Sequence, residues 1–169
     1  PVAMTGVQVG GYAGIVESLR HGRADASLAA GARTVASDLA MKKPTHAHLA
    51  IRSIKESGGS GITVKDTEVL KAMALLARTE GIFAEPAAAS TIAGLKMLIE
   101  RGDIDRSEEI VCVITGAGLK DPYTARRFLK KSWAVERIVS HLETRKFTTR
   151  LGRTKLDILR AIADGDTYG

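Results

Sequence analysis

The sequence has one cysteine, few aromatic residues and no long apolar run. Because Cys112 is the only cysteine, an internal disulfide is excluded, and its apolar neighbours predict a small buried thiol rather than a reactive nucleophile. No apolar stretch approaches the roughly 18 to 20 residues that a transmembrane helix needs, and no basic segment precedes an apolar one at the start. We therefore expect a cytoplasmic protein that makes no use of a membrane.

Motifs for metal, nucleotide and serine-hydrolase chemistry are also missing. His46 and His48 lie two positions apart at a predicted helix start and would face different directions, so we expect no metal site. The glycine clusters at 10–11 and 58–61 lack the full spacing of a dinucleotide-binding or phosphate-binding loop, and we interpret both as turns. No Ser, His and Asp residues have a spacing that by itself indicates a catalytic triad.

What is present is the composition of one globular domain. Hydrophobic residues make up 44% and charged residues 26%, which excludes a disordered or fibrous chain. Acidic and basic residues balance in residues 1–121, so the net charge of +6 lies in residues 122–169. A solvated helical face is the preferred interpretation of this basic tail, and nucleic-acid binding is the alternative. The start at Pro1 and the end at Gly169 suggest that both ends are cut.

Predicted strands and helices alternate along the first two thirds of the chain. Apolar or β-branched runs predict buried strands at 2–9, 62–64 and 110–114. Apolar residues at helical spacing predict helices that end before Gly22, Ser57, Gly81 and Gly102. This alternation predicts an α/β layered fold with a largely parallel sheet. Ligands of such folds bind at the carboxyl ends of strands, where Thr115 would lie.

The third and fourth predicted helices have the most detailed patterns. Asp66 is expected to cap the third helix. Its buried face is expected to carry apolar residues three or four positions apart, namely Val69, Leu70, Met73, Leu76 and Ala77. The fourth helix opens at Glu85-Pro86, and the small residues at 87–91 would let it approach a neighbour closely.

Several segments resemble threonine synthases in the same order. The main ones are Glu-Gly-Ile-Phe-Ala-Glu-Pro-Ala-Ala-Ala-Ser at 80–90, Ala-Gly-Leu at 93–95 and Val-Ile-Thr-Gly-Ala-Gly-Leu-Lys-Asp-Pro at 113–122. Shorter similarities lie at 5–8, 34–37 and 54–59. The Glu-Pro-Ala helix start is shared with serine and threonine dehydratases, but its combination with Thr-Gly-x-Gly-Leu-Lys favours threonine synthase.

The resemblance implies a fold type II enzyme that depends on pyridoxal 5'-phosphate (PLP). Residues 1–122 would be the C-terminal portion of the catalytic domain, a three-layer parallel-sheet lobe with PLP in the cleft between it and an upstream lobe. Thr115 would hydrogen-bond the pyridine nitrogen of PLP. The alternative is that its hydroxyl only hydrogen-bonds the backbone of its own loop. Gly116 and Gly118 would let backbone pass close to the ring. Glu85 would lie near the cofactor. The alternative is that its negative charge only interacts favourably with the dipole of its helix.

The implied reaction is that of a lyase in threonine biosynthesis, which converts the small amino-acid substrate O-phosphohomoserine and water to threonine and phosphate. In the family, the lysine that forms the Schiff base and the loop that binds the PLP phosphate belong to the upstream lobe. Neither has a counterpart in this sequence. We therefore assign no catalytic residue, interpret Lys120 as structural or solvated, and expect the chain alone to be inactive. A homodimer is expected for the complete enzyme.

Two departures from the family pattern bear on these implications, the first on a local contact at the end of the first strand and the second on the substrate. Glycines and Tyr12 occupy residues 10–14, where family members commonly have an acid and a proline. Lys42-Lys43-Pro44 stands where threonine synthases often carry Gly-Asn-Pro, and it is closer to the dehydratases. A dehydratase of the same fold is therefore the first alternative.

Residues 123–169 form a predicted helical C-terminal extension with basic character. Residues 154–169 resemble the start of a PadR-like winged-helix domain. The second alternative is therefore a non-catalytic regulator that reuses the enzyme lobe, and nucleic acid would be a partner only through this extension.

Overall fold

The computed structural model describes residues 2–129, and the side chains of residues 2–125. Residues up to Asp121 form one compact unit, and Pro122 begins a second. The first unit contains two strands, four α-helices and two single-turn 3-10 helices in the order β1 (Thr5–Val9), α1 (Gly14–Arg20), a 3-10 helix (Ser37–Leu39), α2 (Ala47–Glu56), β2 (Ser60–Val64), α3 (Asp66–Thr79), α4 (Pro86–Arg101) and a second 3-10 helix (Gly118–Lys120). The second unit begins with α5 (Pro122–Leu129).

The strands β1 and β2 pair in parallel, with Val7 opposite Ile62. A parallel pair needs a long crossover connection, and α1 and α2 lie within it. Gly61 faces Val16 and Leu19 of α1, whereas its neighbour Ile62 faces α4 at Gly94. Because successive strand residues point to opposite faces, helices cover both faces of the sheet. The predicted α/β fold with a parallel sheet is confirmed.

Helix α4 approaches the sheet closely at Gly94, which lies beyond the small residues at 87–91 for which a close approach was predicted. A Cβ added at Gly94 would lie 2.8 Å from a methyl carbon of Val7 and 3.2 Å from one of Ile62. The helix ends at Gly102, whose φ of 76° is the left-handed conformation that glycine adopts without strain.

Helix α3 differs from its prediction in two ways. Its N-cap is Lys65 and not Asp66, because the Asp66 carboxylate is used elsewhere: it accepts hydrogen bonds from the hydroxyl of Thr34 at 2.6 Å and the backbone N–H of Val35 at 2.9 Å. Ala77 is exposed and Leu70 only half-buried. The buried stripe is shifted from the expected one, with Ala72 in place of Leu70 and Ala77, and it consists of Val69, Ala72, Met73 and Leu76.

The predicted strand at 110–114 is wrong, because these residues adopt no regular secondary structure. The prediction of burial also fails, since Val111 is 84% and Val113 is 62% exposed. A strand exists only when a neighbour completes its hydrogen bonds, and β1 and β2 form the only sheet among the described residues. Two smaller corrections are that β1 begins at Thr5 rather than at residue 2, and that residues 60–61 belong to β2 rather than to a turn.

Gly59 is required where β1 and β2 begin to pair. A Cβ at this position would collide with the backbone of Met4, whose carbonyl accepts the Ser60 N–H. We expect Gly59→Ala to lower the free energy of unfolding by about 1–3 kcal/mol, since overpacking against backbone cannot be relieved by rotamer changes. Urea unfolding measures this effect. Gly10→Ala is the control, because nothing lies within 4 Å of its added methyl, and an equal loss there would refute the steric explanation.

No helix in residues 2–129 combines the length and apolarity needed to cross a membrane. The same residues contain no cluster of three or more His, Cys, Asp or Glu side chains able to hold a metal ion.

Helix α5 occupies the first part of the predicted helical extension. The winged-helix resemblance at 154–169 lies outside the described residues, and the division into domains at 122 and 123 stays a prediction.

Candidate functional site

The candidate site forms where the loop at 115–118 meets the start of α4. The backbone N–H of Glu85 donates to the carbonyl of Gly116 at 3.0 Å, and the N–H of Gly118 donates to the carbonyl of Phe83 at 2.8 Å. Ala84 and Ala117 form an antiparallel bridge between these bonds. All four residues proposed from the sequence for cofactor binding are therefore brought together.

The two glycines of the loop are explained by close contacts within the chain. The Cα of Gly116 lies against the carboxylate of Glu85, and that of Gly118 lies against the ring of Phe83, so a Cβ at either position would collide. This reason differs from the predicted passage of backbone beside a cofactor ring. That cofactor role stays a prediction. Phe83 lies in the segment at 80–90 that carries the family resemblance, but no role is predicted for it there, because its contact with Gly118 joins segments that are distant in sequence.

Glu85 is a buried carboxylate at the N-cap of α4. Its side chain is 6% exposed and makes no capping hydrogen bond to the helix. One oxygen, Oε2, lies 2.7 Å from Nζ of Lys120, and the other, Oε1, accepts a 3.4 Å hydrogen bond from the hydroxyl of Thr115. A buried charge is costly unless it is paired. The pairing with Lys120 supplies that compensation.

Lys120 bridges two carboxylates at the edge of the site. Its ammonium group lies 2.7 Å from Glu85 and 3.0 Å from Asp38, although its side chain is 58% exposed. The hydrogen bond to Glu85 and then that to Asp38 raise the pKa of Lys120 above its ordinary value. Lys120 is therefore a structural residue, one of the two roles predicted for it. Asp38 was missed because 82 residues separate it from Lys120 in the sequence.

A cleft of about 360 Å³ opens beside this cluster. Its volume is in the range typical of small-molecule sites. The residues that line it are Thr5, Val7, Asp38, Leu39, Glu85, Ala87, Ser90, Thr91, Val113, Thr115 and Lys120. Thr115 is exposed and lines the cleft, and its hydroxyl is directed at Glu85. These side chains fit the ring end of PLP, while the one cation among them, Lys120, is already engaged by two carboxylates and does not suit the phosphate end.

Residues 1–116 match the family described as "Pyridoxal-phosphate dependent enzyme". The chain belongs to this PLP-dependent enzyme family. The match confirms both the family recognised from the motifs and PLP as its cofactor.

Two relatives show which members of the PLP-dependent family the chain resembles. It is 46% identical to the threonine synthase of Methanocaldococcus jannaschii over 133 residues, which is 79% of this chain and 33% of that protein. It is 42% identical to the threonine synthase of Methanosarcina acetivorans over 121 residues, covering 72% of this chain and 30% of that protein. The chain therefore spans about a third of the length of these curated relatives.

A solved structure confirms the fold. The crystal structure of a threonine deaminase from "T.th." superposes with a TM-score of 0.50 at 20% sequence identity, covering 70% of this chain and 40% of that one. At this identity the likeness concerns architecture alone. It agrees with the expected α/β fold of the PLP-dependent family.

Cys112 lies near the cleft as a half-buried thiol, which is less buried than predicted. Its burial raises the pKa of the thiol, and a hydrogen bond with Thr91 offsets part of that effect. Since only the thiolate reacts readily, we expect slow alkylation at pH 7. In a rate profile against pH, the midpoint for the folded chain should lie above that of the chain unfolded in guanidinium chloride. Coinciding midpoints would contradict the assigned pKa shift.

Proposed function

We propose that this chain is the C-terminal part of a threonine synthase, which uses PLP to convert O-phosphohomoserine and water to threonine and phosphate. The observation that carries the proposal is the 46% identity to the M. jannaschii threonine synthase over 133 residues. Any stretch of that length within 169 residues includes Glu85 and Thr115, so the candidate site falls inside the similar region.

In this proposal, Thr115 binds the pyridine nitrogen of PLP. When bound, PLP withdraws electrons from the substrate and makes its Cα proton acidic. A hydroxyl can donate a hydrogen bond to the nitrogen but does not protonate it as a carboxylic acid would, so Thr115 tempers that withdrawal and restrains competing chemistry. The bonds from Glu85 and Gly118 to the opposite segments hold the loop that presents this hydroxyl.

The proposal places the covalent lysine upstream of this chain. Within the cleft, Lys120 is a poor candidate for that role, because two carboxylates hold it and raise its pKa. An amine that attacks a carbonyl must be unprotonated, and a raised pKa makes that form scarcer at neutral pH. In the complete enzyme, meaning the proposed protein in which an upstream lobe precedes this chain, this lysine and the phosphate-gripping loop come from that lobe. The homodimer and the cytoplasmic location likewise stay predictions.

A serine or threonine dehydratase is the competing function, and Lys42-Lys43-Pro44 is the observation that favours it. The discriminating experiment supplies the complete enzyme with PLP and either O-phosphohomoserine or threonine. Phosphate and threonine formed in equal amounts from the first substrate support the proposal. Ammonia and a 2-oxo acid from threonine, without phosphate release from O-phosphohomoserine, would replace the proposal with the dehydratase.

The Thr115→Asp variant of the complete enzyme tests the proposed role of the hydroxyl. A carboxylate would favour protonation of the ring nitrogen and strengthen its electron withdrawal. We expect the threonine formed per phosphate released to fall and a 2-oxo acid to appear. Thr115→Ser keeps a hydroxyl and should keep the product ratio. An unchanged ratio in Thr115→Asp would show that residue 115 does not contact the ring nitrogen.

A further inference from the structure

We propose that Lys120 is a positioning residue for Thr115. By holding the Glu85 carboxylate in an ion pair, Lys120 leaves the single hydroxyl proton of Thr115 free for donation to the cofactor nitrogen. This inference rests on the proposed function, because it takes Thr115 to be the residue that meets the ring.

Two acceptors compete for the proton of Thr115. A threonine hydroxyl has one proton to donate, and an ionised carboxylate can only accept. An unprotonated pyridine nitrogen is also only an acceptor. The hydroxyl of Thr115 now points at Oε1 of Glu85, so donation to the ring requires that this bond be given up.

The distances show which contact of Glu85 is the strong one. Lys120 lies 2.7 Å from Oε2, which is the length of a charge-assisted hydrogen bond. Thr115 lies 3.4 Å from Oε1, at the weak limit for a hydroxyl donor. The carboxylate therefore obtains its compensation from the ammonium group and holds the hydroxyl only loosely.

Burial makes this arrangement depend on Lys120. Glu85 is 5% exposed, and the structure pairs it with no other cation among the described residues. Asp38 binds the same ammonium group at 3.0 Å and keeps it at this side of the cleft. Without Lys120, the desolvated carboxylate would need another donor. The donor that already contacts this carboxylate is Thr115, whose hydroxyl would then be held away from the ring.

The test compares Lys120→Met with the unaltered complete enzyme loaded with PLP that carries a nitrogen isotope label in its ring. Nitrogen NMR reports whether the ring nitrogen accepts a hydrogen bond. We expect the ring-nitrogen resonance of Lys120→Met to move toward that of Thr115→Val. The PLP dissociation constant should rise about three- to tenfold, because one hydrogen bond to the cofactor is lost. Lys120→Arg keeps the charge and should restore both. Lys96→Met removes a lysine of similar exposure, which is paired with the exposed Glu100, and it should change neither.

A double variant separates the proposed role from a general loss of structure. Glu85→Gln combined with Lys120→Met removes the unpaired charge together with its partner, so the resonance should return toward that of the unaltered enzyme. If Thr115→Val leaves the resonance unmoved, the proposed cofactor role of Thr115 fails. If Thr115→Val moves it and Lys120→Met does not, the role of Lys120 is overturned and that of Thr115 stands.

Discussion

Incubated with PLP and O-phosphohomoserine, the chain by itself is expected to release no phosphate above the uncatalysed rate. It would lack the upstream lysine and phosphate-gripping loop, while its own Lys120 is held protonated by Glu85 and Asp38. The complete enzyme should turn over at an ordinary enzymatic rate, on the order of 1 to 1,000 per second. The difference should therefore span several orders of magnitude in a continuous phosphate assay.

The inactivity must be shown for a folded chain. Circular dichroism of the same sample should show helix and strand before the assay is interpreted. Measurable turnover by the chain alone would overturn the assignment of the covalent lysine to an upstream lobe. Borohydride reduction followed by mass spectrometry would then show which lysine carries the cofactor.

Ile62→Ala is expected to lower the free energy of unfolding by about 2–5 kcal/mol, the cost of truncating a large buried aliphatic side chain. Ile62 is 1% exposed and lies between β2 and the close approach of α4 at Gly94. Gly94→Ala alone should also destabilise the fold, because the added methyl meets both Ile62 and Val7. Equilibrium unfolding in urea gives both values.

The pair forms a double-mutant cycle that tests the packing directly. In Gly94→Ala combined with Ile62→Ala, the added methyl partly fills the space that the truncation leaves, so the double variant should lose less stability than the two losses added together. Val111→Ala is the control, since this valine is 84% exposed and its truncation should change stability by less than about 0.5 kcal/mol. If the two losses in the free energy of unfolding simply add, the contact between α4 and β2 at these residues does not contribute to stability.

The helices could be predicted from the sequence because their signals are local. Apolar spacing and the stops at Gly22, Gly81 and Gly102 depend on residues within a few turns, and α1, α3 and α4 form where these signals lie. The run at 110–114 has the local pattern of a strand as well, yet a strand needs a partner that no local pattern supplies. Asp66 failed as a cap for a similar reason, because its carboxylate bonds Thr34 and Val35 from a distant loop.

The candidate site divides in the same way. Family motifs identified Glu85, Thr115, Gly116 and Gly118, and the structure brings their two segments together through backbone bonds. Asp38 could not be found from the sequence, because its contact with Lys120 joins residues 82 positions apart. The partner of a charged side chain depends on the packing of the whole unit, and the family similarity at 34–37 ends one residue before Asp38.

The most direct test of the threonine synthase assignment follows the oxygen atoms. The complete enzyme is supplied with O-phosphohomoserine in water labelled with the heavy oxygen isotope. Mass spectrometry of the products then shows which of them carries the label. Elimination followed by addition of water predicts that the label enters the hydroxyl group of threonine and that none enters the phosphate. Labelled phosphate accompanied by homoserine would show simple hydrolysis of the ester, and it would contradict the account.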